Sequence, residues 1–266
     1  MVDISDAKKM PLLDHLIELR QRLFYSVIAL VLAFLVCFAL SERLFDFLAQ
    51  PLTNLLIEIG QDPTYYYTHL LEKFFTHVKV AFFFAAFFTC PMFLTQIWLF
   101  VAPGLYKNEK QAFLPFLIVA PMLFFLGGAL VYFLIMPLAF EFFISFQRDS
   151  GDGLAAVELL PKVNEYFSLV MALIFAFGLC FQLPVIMTLL ARVGLATSEG
   201  MAAKRKYAIL GVFIVAAIFT PPDPISQISL AIPIVLLYEI SIHVARLVEK
   251  KRAEKEAAEE AEALSD

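Results

Sequence analysis

The chain has 266 residues, of which 61% are apolar, 17% are charged, and the formal net charge is −5. Soluble domains hold roughly 45–50% apolar and about 25% charged residues, whereas six stretches here (23–41, 80–106, 111–140, 167–191, 207–222 and 224–238) contain no Asp, Glu, Lys or Arg across 132 residues. About 20 apolar residues cross a bilayer core, so soluble globular, disordered, fibrous and disulfide-stapled secreted classes are excluded and an all-α polytopic membrane protein remains. Cys37, Cys90 and Cys180 each lie in an apolar run with no second Cys or His at ligand spacing, which predicts free thiols, no disulfide and no metal site.

Residues 1–11 carry Asp3, Asp6, Lys8 and Lys9 without a small-residue cleavage site, so the first apolar run is expected to be a retained helix rather than a signal peptide. Leu12, Leu16, Leu19 and Leu23 recur at helical spacing, with His15, Glu18 and Arg22 on another face. That predicts an interfacial helix running into a first span over 23–41. On spacing alone, Glu18 and Arg22 form an ordinary i,i+4 surface pair, stabilising by a few tenths of a kcal/mol. Residues 42–59 place Leu44, Phe45, Phe47, Leu48, Leu52, Leu55, Leu56 and Ile59 at helical spacing broken by Pro51, the pattern of an amphipathic helix at the outer interface or capping the bundle.

A second span is predicted over 80–98. The following loop holds Trp98 and Tyr106 as interfacial anchors and a second acid, Glu109. Glu18 and Glu109 are either solvated surface acids or a pair that receives a cationic partner, since a guanidinium pairs bidentately with carboxylate. The third span, 113–135, contains Gly127-Gly128, which admits close helix packing. Ser150-Gly151-Asp152-Gly153 marks a turn, and Pro161 opens the fourth span, 167–190. Within it Gln182 needs a hydrogen-bond partner, either a carbonyl freed by Pro184 or a polar group on another helix.

The fifth and sixth spans, 207–219 and 226–243, flank Thr220-Pro221-Pro222-Asp223-Pro224, where three prolines end the helix. A helix of about 15 residues reaches roughly 22 Å, short of the ~30 Å core, so the bilayer thins there or flanking residues snorkel. A re-entrant hairpin, leaving four spans, is the alternative. Asp223 suits a turn acid or helix N-cap. The polar tail, 247–266, is expected to be frayed or disordered. Fifteen Lys and Arg fall on the side of the termini and four on the other, with Lys79 at a helix edge. The positive-inside rule then places both termini in the cytoplasm and calls for six spans.

No His-Glu-x-x-His, Gly-x-Ser-x-Gly or phosphate-binding glycine loop is present, and the four histidines are scattered, which argues against an enzyme. Five ordered motifs are distinctive: His15-Leu16-Ile17-Glu18-Leu19-Arg20-x-Arg22-Leu23; Ala49-Gln50-Pro51-Leu52; Gln96-Ile97-Trp98-x-Phe100-x-Ala102-Pro103-Gly104-Leu105-Tyr106-Lys107-x-Glu109; Phe177-Gly178-x-x-Phe181-x-Leu183-Pro184; and Thr220-Pro221-Pro222-Asp223. With Ile232-Pro233 and Tyr238-Glu239-Ile240, the pattern from Leu12 to Arg246 resembles TatC, the polytopic component of the twin-arginine protein translocase.

The resemblance implies a receptor in the bacterial inner membrane that binds twin-arginine signal peptides of folded cargo at the cytoplasmic face. With single-span TatA- and TatB-type partners, and self-association, it would nucleate export driven by the proton-motive force. It implies no cofactor and no nucleic acid. The family's signal-binding acids fall on Glu18 and Glu109, with Arg20, Arg22 and Phe100 supporting the same surface. Pro51 and Asp223 would belong to the periplasmic side of a cupped bundle. At position 182 many members carry a glutamate that meets a partner helix. Gln182 cannot titrate, which favours polar docking over proton carriage. A secondary transporter with a midplane site at Gln182 and Glu239 is the alternative, weakened by the absence of charge from the six runs.

Overall fold

A computed structural model describes residues 12–101, 114–148, 159–192, 194–219 and 224–263. Glu109, Asp223 and the 150–153 turn lie outside the described residues. Helix α1 (Leu12–Ala39) merges the interfacial turns with the first apolar run, because neither Gly nor Pro interrupts it. One side packs along α3 (Glu72–Val101), while Leu23, Phe24, Leu32, Leu35 and Val36 remain exposed, as befits a lipid-facing surface.

Helix α2 (Ser41–Glu58) runs through Pro51 without the expected break. Pro51 removes the N–H that would reach the Phe47 carbonyl. The Tyr132 hydroxyl supplies the missing donor to Phe47 O at 2.8 Å. The next two carbonyls are also served: Tyr166 donates to Leu48 O at 2.8 Å and Tyr65 to Ala49 O at 3.0 Å. Tyr132 thus carries the helix past its proline, and Tyr166 and Tyr65 brace the adjoining turn.

Helix α4 (Leu114–Leu130), a π turn (Val131–Ile135) and α5 (Met136–Ile144) form one unbroken helical run, longer than the predicted third span. The fourth span is divided into α6 (Val163–Cys180) and α7 (Leu183–Arg192). Pro184 strips the donor from the Cys180 carbonyl and biases Leu183 away from helix. The chain responds with a tight Gln182 N to Leu179 O bond at 2.9 Å. α4 and α6 then meet at glycine. A Cβ on Gly127 would stand 2.7 Å from the Phe177 carbonyl oxygen, and one on Gly178 would stand 2.7 Å from the Phe124 ring. Leu48, Phe124, Phe167 and Phe177 fill the core between α2, α3, α4 and α6. Lipid tails are as apolar as these side chains, so close packing rather than escape from water holds the helices together.

A short α8 (Ser198–Ala203), capped by Thr197 Oγ1 accepting from Gly200 N at 3.1 Å, leads into α9 (Arg205–Phe219) and α10 (Pro224–Ala263). The polar tail continues α10 as helix to Ala263. Its Ala, Glu and Lys residues are strong helix formers, and Glu249 anchors its beginning by accepting from Ser198 N at 2.6 Å. Among the described residues, five helical segments, 17–39, 72–97, 116–144, 163–192 and 230–251, are long and apolar enough to cross a membrane; α9, with 15 residues, falls short of that length. Among the described residues there is no strand; a bridge between Tyr66 and Lys162 ties the 59–71 loop to the start of α6.

Candidate functional site

The polar cluster singled out by the sequence lies where α1 meets the far end of α3. Helical spacing puts Glu18 and Arg22 on one face of α1. Arg22 Nε donates to Glu18 Oε1 at 3.0 Å, and Nη2 donates to the same oxygen. Arg22 Nη1 donates across to Gln96 Oε1 of α3 at 2.9 Å. Both charged side chains are about three-quarters buried, with 25% of Arg22 and 27% of Glu18 exposed. The pair is therefore an interhelical tie rather than a free surface contact. Beneath it, Ser26, 1% exposed, returns its hydroxyl to the Arg22 carbonyl at 3.0 Å.

Arg20 is exposed on the other side of α1, two residues and more than half a turn from Glu18. Phe100 belongs to the last turn of α3, but its side chain lies outside the described residues, as does Glu109. Gln96 is the member of the cluster not assigned to the site by sequence. Its only signal is an amide inside an uncharged run, one turn before Phe100.

Chemically, the cluster is a guanidinium seat: a carboxylate and an amide oxygen gripping the planar fork of Arg22 from two helices. Charge-assisted bonds of this kind are roughly twice as strong as neutral ones, and bidentate geometry distinguishes arginine from lysine.

Gln182 is 3% exposed and donates from Nε2 to the Ala120 carbonyl of α4 at 2.9 Å. Of the two possible partners, the bond goes to another helix. Its Oε1 has no hydrogen-bond partner among the described residues. In this conformation the amide faces the chain's own interior. Glu239 is engaged elsewhere. Arg205 Nη2 donates to Glu239 Oε2 at 2.9 Å, and Nε stands 2.8 Å from Oε1 as an ion pair at an angle too poor for a hydrogen bond. Gln182 and Glu239 thus have separate partners on separate helices rather than a shared polar site.

A family model described as "Sec-independent protein translocase protein (TatC)" matches residues 14–233. The chain belongs to the TatC family. It is 51% identical over 265 residues to the TatC of Magnetococcus marinus, covering 100% of this chain and 94% of that one. The Escherichia coli K12 TatC is 36% identical over 236 residues, covering 89% and 88%. A crystal structure of a twin-arginine translocase receptor, TatC, superposes with a TM-score of 0.74 at 35% identity over 88% of this chain and 99% of that one. The TatC family consists of translocase components rather than enzymes, and this TatC chain is a multi-pass protein of the bacterial inner membrane.

Proposed function

We propose that this chain is the receptor of a twin-arginine translocase, with Glu18 and Glu109 receiving the two arginines of a signal peptide at the cytoplasmic face. Arg20, Arg22 and Phe100 belong to the same surface, and TatA- and TatB-type proteins complete the exporting assembly. The proposal includes six spans, with α9 the short fifth, and both termini in the cytoplasm. The bias of Lys and Arg toward that side supports it.

The observation that carries the proposal is the grip on Arg22. Glu18 already binds one guanidinium, and Gln96 offers that guanidinium a second acceptor 2.9 Å away. An incoming arginine therefore exchanges with Arg22 at the carboxylate, and Arg22 keeps a partner at Gln96. Glu18 keeps a cationic partner throughout the exchange and Arg22 keeps a hydrogen-bond acceptor, which lowers the cost of parting the buried pair. Gln182 supports this arrangement indirectly, its amide tying the turn between α6 and α7 to α4.

Export of a twin-arginine reporter tests the proposal. Glu18→Arg and Glu109→Arg should each abolish export while the protein stays in the membrane. Normal export by both single variants and by the double variant overturns it. Photo-crosslinking beside Glu109 should capture an Arg-Arg signal peptide in preference to its Lys-Lys counterpart.

A further inference from the structure

Two cavities lie side by side on the face made by α2, α3 and the run from α4 to α5, and none of their lining residues belongs to the Glu18 cluster. The first, about 170 Å³, is walled by Phe83, Phe84 and Phe87 of α3 and by Phe125, Gly128 and Ala129 of α4. The second, about 300 Å³, is walled by Gln50, Asn54 and Glu58 of α2 and by Pro137. Tyr132 and Phe133 line both. These two residues sit in the π turn, a local widening of the helix that is frequent at functional sites. Phe133 is 73% exposed at the shared wall.

We infer that this two-part groove holds one phospholipid with an ammonium headgroup, its acyl chain in the aromatic cavity and its headgroup against Gln50, Asn54 and Glu58. Length fits the assignment. From Phe125 to Pro137 the helix rises about 18 Å, close to the depth of one leaflet, half of a ~30 Å core. The described lining of the inner cavity is apolar apart from Tyr132, whose hydroxyl is already spent on the Phe47 carbonyl, and the medium surrounding a membrane span is hydrocarbon, so an acyl chain is its natural filler.

Charge selects the headgroup. Gln50, Asn54 and Glu58 recur every fourth residue along one exposed face of α2. The Glu58 carboxylate accepts from an ammonium, and the two amides donate to phosphate oxygens. No Lys or Arg is among the described residues lining the outer cavity, so nothing there offsets the net charge of an anionic headgroup. Phosphatidylethanolamine satisfies all three groups, whereas phosphatidylglycerol sets an uncompensated negative charge beside Glu58.

Native mass spectrometry of the full chain, released from nanodiscs of equimolar phosphatidylethanolamine and phosphatidylglycerol, tests this. The wild type should retain one phosphatidylethanolamine in about fivefold preference, the order that one partly exposed ion pair supplies. Glu58→Lys, on an exposed position, should reverse the preference. Ala129→Phe, which fills the aromatic cavity, should lower retention of both lipids severalfold. A photoreactive group at Phe133 should give a phospholipid adduct. Equal retention of the two lipids, a preference unmoved by Glu58→Lys, or an adduct to a second polypeptide in place of lipid overturns the inference.

Discussion

The Tyr132 hydroxyl donates at 2.8 Å to the carbonyl of Phe47, the residue whose helical partner is deleted by Pro51. The two rings also stack, with centroids 4.5 Å apart and planes inclined by 3°. Tyr132→Phe keeps the stack and removes only the donor. A buried acceptor left without a partner costs about 1–3 kcal/mol, and that loss should appear as a lower unfolding temperature in detergent. Pro51→Ala restores the backbone donor, so Tyr132→Phe should cost clearly less in that background. Equal costs in the two backgrounds would show that the hydroxyl does not substitute for the missing N–H.

Tyr65 serves the neighbouring Ala49 carbonyl, whose helical donor remains present. Its phenol accepts from Thr53 Oγ1 at 3.2 Å while donating its own proton to Ala49. Burial pushes its pKa up, and the hydrogen bond from Thr53 opposes that shift. The folded state therefore favours the neutral phenol. This contribution is complete below the ordinary tyrosine range near pH ~10 and is lost as pH rises through the raised value. Tyr65→Phe should remove that alkaline component of stability, as read by thermal unfolding across an alkaline pH series.

Much of the architecture was legible because it rests on period and charge. Charge-free runs located five helices long and apolar enough to cross a membrane, and the Leu12–Leu23 spacing located the approach to the first. The points of departure share a cause. Pro51 predicts a broken helix until a distant tyrosine repairs it, and Pro184 splits a span that hydropathy alone draws as continuous. Glu18 and Arg22 could be paired from sequence, but Gln96 lies 74 positions beyond Arg22 and joins them only through the packing of α1 on α3. Glu249 was one acid among many in the tail until Ser198 identified its partner. Local patterns report helices; long-range hydrogen bonds to carbonyls and amides leave no period to read.

Gln96 gives the sharpest test of the guanidinium seat. Gln96→Leu preserves bulk and removes the second acceptor for Arg22. If a signal-peptide arginine exchanges with Arg22 at Glu18, the displaced guanidinium then has nowhere to go. Hydrogen bonds to charged groups contribute about 1.5–3 kcal/mol, so signal-peptide crosslinking should fall roughly tenfold or more with membrane levels unchanged. Crosslinking at the wild-type level would remove Gln96 from the exchange.

The glycine contacts make an asymmetric prediction. At Gly127 an added methyl meets the Phe177 backbone oxygen at 2.7 Å, whereas at Gly178 it meets the Phe124 ring at the same distance. A ring can rotate or shift; a helix carbonyl moves only with its helix. Overpacking typically costs about 1–3 kcal/mol, so Gly127→Ala should lie toward the upper end and Gly178→Ala toward the lower. Thermal stability of the two variants in detergent decides the order.

Glu249 links the C-terminal half of α10 to the first residue of α8. It accepts from the Ser198 amide at 2.6 Å and from the Ser198 hydroxyl, while Tyr238 on the same helix donates to the Met201 carbonyl at 2.8 Å. Two contacts on one helix, three turns apart, hold α8 at both ends and thereby set where α9 begins. Glu249→Gln retains an acceptor oxygen but loses the charge that strengthens both bonds. It should raise hydrogen exchange at the Ser198 amide and leave that at Met201 nearly unchanged. Deleting residues 253–266 preserves every one of these contacts and should leave exchange at both sites as in the full chain. A truncation that loosened Ser198 as much as Glu249→Gln does would transfer the anchoring role from this carboxylate to the helical tail beyond it.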